Sequence, residues 1–225
     1  MTHFLLEGYD LSAPWIYHAM KSRLYPDMRV VVIALSFRPG HVRTTTEWDA
    51  LYAPGGRYFQ GIVGGLSPYG IVPDTITFLN IFTDTSETAA EKIRQADVLY
   101  FPGGLPDAMM ERIRDFGLSD LILQHRGLIL GYSAGAVIQL AKYHLSPDKD
   151  YPSFSYYEGL PWLSDFYLEV HYEGFPTQNE AIRRVLDERK KRVYAPLAGR
   201  GGLMVENGTV TPLGDVMIFD PKEVS

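Results

Sequence analysis

Residues 131–135 read GYSAG and place one serine, Ser133, between two glycines at the end of an apolar stretch, residues 128–130. The apolar stretch predicts a strand and the residues from 134 onward predict a helix, so the serine falls on a sharp strand-to-helix turn. Such a turn lifts the hydroxyl clear of the backbone, and the glycines leave room where side chains would clash. A turn that merely packs is the alternative. The combination of strand, turn and helix favours Ser133 as a nucleophile.

A second glycine turn follows the strand predicted over residues 98–101. Gly103 and Gly104 come at the carboxyl end of that strand, and open α/β sheets bind ligands at this edge. Adjacent glycines let backbone amides face a substrate oxygen, so either glycine is a candidate oxyanion donor. A glycine-rich turn without a ligand is the alternative.

A serine nucleophile needs a general base, and the chain has six histidines. His171 follows residues 166–170, whose alternating pattern predicts a strand, so it lies at a strand end where it can meet the serine. His144 falls on the helix predicted after Ser133, about 16 Å along its axis and out of reach. His125 precedes the nucleophile strand and is expected at the opposite edge of the sheet. We therefore predict His171 as the base.

The elements that must position these residues alternate between apolar runs and helical stretches. Residues 28–35 form a continuous apolar run, which is typical of a strand buried on both faces of a parallel sheet. Ser86 is predicted to cap a helix over residues 87–95, residues 146–163 to form a long loop, and residues 207–208 (NG) to form a hairpin turn. We predict one domain over residues 1–225, a three-layer α/β/α sandwich around a mostly parallel sheet.

The composition excludes several classes of site and partner. The chain has 225 residues and no cysteine, which excludes disulfides, thiolate metal sites and a cysteine nucleophile. The net charge of −6 comes without a basic patch, so no nucleic-acid partner is expected. No stretch resembles a signal peptide or a membrane helix, so we expect a cytoplasmic protein without a membrane partner. No cluster of histidines and carboxylates has metal-ligand spacing, so neither a metal nor another cofactor is expected.

These motifs together resemble the peptidase E (aspartyl dipeptidase) and cyanophycinase family of serine peptidases. The resemblance is carried by the Gly103-Gly104 turn, by residues 131–136 and by His171, which comes 38 residues after the serine. It implies a flavodoxin-like sandwich of the class I glutamine amidotransferase kind, with serine in place of cysteine. It also implies that Ser133 forms an acyl-enzyme, with the amides of Gly104 and Ala134 holding the oxyanion. The implied substrates are short peptides with an N-terminal Asp, or β-aspartyl peptides. We expect a monomer or a homodimer.

The acid of the triad is the point at which the chain departs from the family pattern. The family places an acidic residue in a C-terminal segment, and the matching stretch, residues 196–203, has none. Other descriptions of the family place an acid about 15 residues after the serine, where Asp148 lies, so Asp148 is our candidate. Further candidates are Asp150, Glu169 and Glu173. An acidic substrate side chain would need a cationic partner, for which three residues are candidates: Arg38, Arg43 and Arg200.

Two other functions stay open at this point. An α/β-hydrolase esterase orders its triad serine, acid, histidine, with the histidine near the C-terminus, whereas His171 here is followed by 54 residues. The missing acid supports a degenerate, non-enzymatic binding protein. The aromatic loop over residues 151–157 is expected to line the substrate pocket, to form a dimer contact, or simply to pack.

Overall fold

The computed structural model describes residues 1–221. Its strands are β1 (Thr2–Leu6), β2 (Val30–Val32), β3 (Ile76–Phe78), β4 (Val98–Phe101), β5 (Leu128–Tyr132), β6 (Lys142–Leu145), β7 (Ser155–Glu158), β8 (Phe166–Leu168), β9 (Arg192–Glu206) and β10 (Thr209–Phe219). Its helices are α1 (Pro14–Lys21), α2 (Thr45–Tyr52), α3 (Phe59–Leu66), α4 (Ser86–Gln95), α5 (Pro106–Asp115), α6 (Ser119–Gln124), α7 (Ala134–Val137) and α8 (Pro176–Arg189). Within residues 1–221, no helix has the length and apolar content that a membrane crossing requires.

Eight strands form the main sheet, in the order β10-β9-β1-β5-β4-β2-β3, with β8 also paired to β9. The five strands from β1 to β3 in this order are mutually parallel, whereas β9 runs antiparallel to β1 and β10. The mostly parallel sheet predicted from the apolar runs is confirmed. Because β1, β4 and β5 are parallel neighbours, the residues that follow them meet at one edge of the sheet.

Alternate residues of the central strands pack into two separate cores, one on each face of the sheet. One core lies between the sheet and helices α4, α5, α6 and α7. The strand residues in it include Leu5, Leu99 and Ile129. The other core lies between the sheet and helices α1, α2 and α3. The strand residues in it include Phe4, Val98 and Leu130. A smaller cluster packs α8 against β8 and β9. Helices cover both faces of the sheet, so the predicted three-layer α/β/α sandwich is confirmed.

The start of α4 differs by one residue from the sequence prediction. Thr85, not Ser86, is the capping residue, because the Thr85 hydroxyl accepts a hydrogen bond from the Thr88 amide at 3.3 Å. The Thr88 hydroxyl in turn accepts from the Thr85 amide at 2.9 Å, which completes a capping box. Ser86 is the first residue of the helix.

The prediction of a long helix after Ser133 is wrong beyond the first turn. α7 ends at Val137, and the next residues bond to a returning segment instead of continuing the helix: the Ala141 amide donates to the Leu163 carbonyl at 2.7 Å. The chain then forms β6, which pairs with β7 inside the stretch predicted to be a loop. His144 therefore lies on β6 and not far along a helix, so the distance argument that excluded it was wrong.

The predicted hairpin turn at the end of the sheet is confirmed. Asn207 and Gly208 have φ values of 50° and 78°, and they join β9 to β10 with Glu206 opposite Thr209. Two consecutive positive φ values match the right-handed twist of the flanking strands, which is why an Asn-Gly pair is favoured there.

Candidate active site

Ser133 occupies the turn between β5 and α7, with φ 52° and ψ −110°. A non-glycine residue in this region costs about 1–3 kcal/mol, so the surrounding structure must hold it. The Ser133 amide donates to the Leu6 carbonyl of β1 at 3.0 Å. The flanking glycines are required by space, since a Cβ on Gly131 would lie 2.0 Å from the Gly135 carbonyl, and one on Gly135 would lie 1.9 Å from the Phe101 carbonyl.

The region behind the turn is fixed by a buried amide, Gln139. Its Nε2 donates to the carbonyls of Phe4 and Gly135, each at 3.1 Å, and its Oε1 lies 2.9 Å from Nδ1 of His3. These bonds tie the end of α7 to β1. The strand that holds the Ser133 amide thus also holds the helix behind it.

His171 lies beside the serine, with its Nε2 2.7 Å from Ser133 Oγ. It follows β8 in a turn and has φ 55°. Its amide donates to Oε2 of Glu7 at 2.8 Å, and its carbonyl accepts from Nε2 of Gln178 at 2.8 Å. The backbone of His171 is therefore anchored through both its amide and its carbonyl. Its side chain is about half exposed (47%). The structure brings together the serine and histidine that were singled out from the sequence.

The other ring nitrogen of His171 faces Glu7, which sequence analysis did not single out. Nδ1 lies 2.9 Å from Oε2 of Glu7, whose side chain is only 1% exposed. Glu7 follows β1 directly, and the parallel register opposes Leu6 to Tyr132, so the next residue of each strand reaches the same edge. A lone carboxylate directly after the short apolar run of residues 4–6 was the signal that could have drawn attention to it.

Burial and hydrogen bonding shift the pKa values of this pair. Burial raises the pKa of Glu7, and its hydrogen bond to His171 opposes that effect. The hydrogen bond that His171 donates to Glu7 raises the pKa of His171 above its ordinary value, against the opposing effect of burial. The buried carboxylate thus stabilises the imidazolium form of the ring.

The Gly103-Gly104 turn packs against the serine. Gly104 has φ 141°, and a Cβ there would lie 2.4 Å from the carbonyl oxygen of Ser36, so only glycine fits. The Ser36 hydroxyl donates to the Gly103 carbonyl at 2.6 Å, which fixes the turn. A Cβ on Gly103 would lie 3.4 Å from Ser133 Cβ. Gly104 and Ala134 line the same cavity as the serine, so the structure brings all three predicted oxyanion residues next to it.

Comparison with known proteins places the chain in a family. The sequence model of peptidase family S51 matches residues 39–213, which is most of the chain. The chain belongs to peptidase family S51. This membership confirms the resemblance to the peptidase E family noted in the sequence. Glu7 lies before the matched region.

Two curated relatives are similar to part of the chain. An uncharacterized peptidase of Listeria innocua serovar 6a is 26% identical over 59% of this chain and 66% of its own length. An uncharacterized peptidase of Pasteurella multocida is 27% identical over 58% of this chain and 66% of its own length. The match thus spans just under two thirds of each of these relatives.

The fold is similar to two solved structures. A candidate peptidase E protein from Listeria monocytogenes EGD-e superposes with a TM-score of 0.67 at 19% identity, covering 95% of this chain and 98% of that one. A peptidase from an acI-B1 Actinobacterium superposes with a TM-score of 0.65 at 18% identity, covering 99% of this chain and 91% of that one. These similarities confirm the fold of the S51 peptidase.

The acid expected at Asp148 is not the group that faces His171. Oδ1 of Asp148 accepts from the amides of Asp150 and Tyr151, at 2.7 and 2.8 Å, and so caps its own loop. Nδ1 of the histidine is already occupied by Glu7, so the prediction of Asp148 as the orienting acid is corrected to Glu7.

The other predicted acids have different partners or positions. Asp150 pairs with Arg38, and Glu169 pairs with His144 at 2.6 Å while accepting from the Ser146 hydroxyl. Glu173 lines the cavity beside the serine.

The absence of an acid in residues 196–203 has a structural explanation. This stretch of β9 runs beside β1, and the Glu7 amide donates to the Gly201 carbonyl at 3.2 Å. The carboxylate next to the histidine therefore comes from the neighbouring strand. A Cβ on Gly202 would lie 2.8 Å from the Leu5 carbonyl, so the close approach of the two strands requires a glycine there.

Two cavities adjoin Ser133. The first has a volume of about 430 Å³ and includes His171 in its lining. Its other charged or titratable residues are His144, Asp148, Lys149, Asp150, Glu169 and Glu173. Tyr151 also lines it and donates to Asp107 at 2.6 Å, so the aromatic loop contributes to this cavity. A cavity at the opposite end of the strands, around His125, contains none of the site residues.

The second cavity has a volume of about 300 Å³ and is aromatic. Its side-chain lining includes Tyr9, Tyr52, Tyr58, Tyr100, Tyr132, Arg57 and Ile62. His171 lines the first cavity but not this one.

The arginines predicted to hold an acidic substrate group lie elsewhere. Arg38 pairs with Asp150, Arg200 lies 3.7 Å from Asp215, and the Arg43 amide donates to a neighbouring helix residue. None of these three lines either cavity beside Ser133. Among the described residues, Lys149 and Arg57 are the Lys and Arg side chains that do. Within residues 1–221, no group of three or more His, Asp or Glu side chains is arranged to hold a metal ion.

Proposed function

We propose that this S51 peptidase hydrolyses short peptides with an N-terminal Asp, or β-aspartyl peptides, through an acyl-enzyme on Ser133. His171 is the general base, and Glu7 orients it. The observation that carries the proposal is the continuous contact from Ser133 Oγ to His171 Nε2 at 2.7 Å and from His171 Nδ1 to Glu7 Oε2 at 2.9 Å. Serine, imidazole and buried carboxylate in this order form the arrangement that activates a hydroxyl.

In the first half of the reaction, Ser133 Oγ attacks the peptide carbonyl carbon while His171 Nε2 takes its proton. Glu7 stabilises the resulting imidazolium, in keeping with the raised pKa of the ring. The carbonyl oxygen becomes an oxyanion, for which the amides of Gly104, Gly103 and Ala134 are the nearby donors. The C–N bond then breaks, and the imidazolium gives its proton to the departing amine.

In the second half, water replaces the amine. His171 takes a proton from the water, whose oxygen attacks the acyl carbon and breaks the ester bond to Ser133. The proton returns from the imidazolium to the serine oxygen. The acid product then leaves, and the site regains its starting charges.

The charges around the first cavity support a substrate with a free N-terminus. Asp148 and Glu173 are exposed carboxylates in the lining next to His171, which suits the ammonium group of the first residue, whereas the carboxylate of Glu169 is paired with His144. Lys149, from the same loop as Asp148, is the lysine of this cavity and suits the carboxylate of an Asp side chain.

The test is a comparison of substrates on the purified protein. Aspartyl-leucine, β-aspartyl-leucine, asparaginyl-leucine, alanyl-leucine and a short nitrophenyl ester are assayed with wild type and Ser133→Ala. The proposal predicts that the aspartyl peptides have the highest kcat/KM and that Ser133→Ala abolishes their cleavage. Cleavage of the ester alone would support an esterase, and activity that survives Ser133→Ala would remove the serine from the mechanism.

Lys149→Gln tests the specificity separately. We expect it to lower kcat/KM for aspartyl-leucine by about tenfold, the size of one lost charge-assisted contact, and to leave alanyl-leucine unchanged. Lys142→Gln is the matched control, because Lys142 is an exposed lysine on β6, 3.9 Å from Glu158 and outside both cavities. Equal effects of the two substitutions would contradict the role of Lys149.

A further inference from the structure

The aromatic cavity beside Ser133 is opposite in character to the cavity around His171. Its floor contains Tyr52 and Tyr100, which are each 2% exposed. Its wall contains Tyr132, the residue before the serine, whose ring packs edge-on against Tyr9 with centroids 5.3 Å apart. A concave, mostly aromatic surface with few polar groups is typical of a small-molecule binding site.

The hydroxyls in the floor keep their protons. Burial raises the pKa of Tyr52 to about 12 and raises the pKa of Tyr100 further. Both side chains are therefore neutral, and the floor carries no negative charge. An apolar side chain with a polar tip or an aromatic ring suits such a surface.

The charge of this cavity comes from Arg57 at its mouth. Arg57 is exposed, and its guanidinium carbon lies 5.5 Å from the ring centroid of Tyr58, the neighbouring exposed tyrosine. Within residues 1–221, no carboxylate oxygen lies within 4.0 Å of its nitrogens, and no lining residue of the cavity carries a carboxylate. A planar guanidinium without a carboxylate partner is suited to a ligand carboxylate.

The two cavities carry different charges, so they favour one orientation of a substrate with opposite charges at its ends. Carboxylates surround the space on the His171 side, whereas Arg57 is the charged group on the tyrosine side, and Ser133 lines both cavities. A dipeptide has an ammonium group at one end and a carboxylate at the other, with the scissile bond between them. Complementary charge therefore favours one orientation across the serine.

We infer that the tyrosine-lined cavity binds the residue released by cleavage, as an apolar or aromatic amino acid whose free C-terminal carboxylate is held by Arg57. The inference rests on the proposed function for the position of the scissile bond. It adds a substrate class, dipeptides with an apolar or aromatic second residue, and it names Arg57 as the group that selects them over longer or amidated peptides.

Binding to an inactive variant tests this without requiring turnover. Ser133→Ala is titrated by calorimetry with aspartyl-phenylalanine and with its C-terminal amide, and the titrations are repeated with Arg57→Gln added. We expect the free acid to bind about tenfold more tightly than the amide, and Arg57→Gln to make the two affinities equal. Equal affinities before the substitution, or a preference that survives it, would overturn the inference.

Cavity filling provides a second variant. Gly61 of α3 lines the cavity, and a Cβ there would lie 3.7 Å from the Tyr9 ring, so Gly61→Phe directs a ring towards the bound side chain. Gly64→Phe is the matched control on the same helix, because Gly64 is exposed and a Cβ there meets nothing within 4 Å. We expect Gly61→Phe to weaken aspartyl-phenylalanine binding at least about tenfold and Gly64→Phe to leave it unchanged. Equal effects would contradict the proposed position of the side chain.

These outcomes separate the inference from the proposed function. If the dipeptide acid binds selectively through Arg57 but is not hydrolysed by wild type, the proposed function fails and the binding site stands. If wild type hydrolyses the free acid and the amide equally well, the inference fails and the proposed function stands. If neither binding nor hydrolysis is seen, both are wrong.

Discussion

The substitution Glu7→Gln tests the acid that the structure assigns to the site. Oε2 of Glu7 accepts two hydrogen bonds from His171, one from its amide at 2.8 Å and one from Nδ1 at 2.9 Å. Glutamine keeps the size of the side chain, but its NH₂ group cannot accept, and it removes the charge that stabilises the imidazolium. The ring is then free to adopt the tautomer that carries its proton on Nε2, which cannot take the proton of Ser133.

The expected loss is large and falls on kcat. Replacing the orienting acid of a serine triad by its amide lowers kcat by about 10³- to 10⁴-fold, and KM should change little because Glu7 is buried beneath the histidine. The assay is steady-state hydrolysis of aspartyl-leucine, with urea unfolding to show that the variant is folded. Asp148→Asn is the matched control: it changes the acid first predicted from the sequence, and because Asp148 lines the substrate cavity its effect should fall on KM and leave kcat largely unchanged. The assignment is refuted if Glu7→Gln keeps more than about a tenth of wild-type kcat, or if Asp148→Asn loses more than Glu7→Gln.

Three further predictions concern pH, packing and capping. Because the pKa of His171 is raised above its usual 6.5 and the neutral ring is the base, kcat/KM should rise with pH through a midpoint above 6.5; a midpoint below that value contradicts the effect of the carboxylate. Gly135→Ala should lower the free energy of unfolding by about 2 kcal/mol or more, because the added methyl group overpacks the turn. Gly64→Ala, at an exposed helix position, should raise the free energy of unfolding by about 0.5–1 kcal/mol. Urea unfolding measures both. Thr85→Ala should cost about 1 kcal/mol in the same assay and Ser86→Ala only a few tenths, and the reverse order would favour the cap predicted from the sequence.

The sequence predicted the fold and the strand-turn-helix setting of Ser133 well because both depend on local patterns. The continuous apolar runs are strands covered on both faces, and the glycines around Ser133 are positions where a Cβ would lie within about 2 Å of a neighbouring carbonyl. His171 could be found because a residue after a strand must come to the edge of a sheet.

The failures arose where long-range pairing decides the structure. α7 stops after four residues because the following segment bonds to residues 159–163, which no local pattern reveals. Glu7 was overlooked because the strand order that places β1 beside β5, and β9 beside β1, cannot be read from spacing along the chain. The same pairing explains why the C-terminal segment needs no acid of its own. Arg57 precedes α3, and only the packing of this segment near the serine shows that Arg57 borders a cavity.

Covalent labelling tests directly whether Ser133 is a nucleophile activated by its neighbours. Wild type is treated with a fluorophosphonate and digested, and the modified peptide is mapped by mass spectrometry. We expect a single adduct on Ser133, no adduct in Ser133→Ala, and much slower labelling in Glu7→Gln. An adduct on a different serine, or labelling of Ser133→Ala at the wild-type rate, would contradict this role of Ser133.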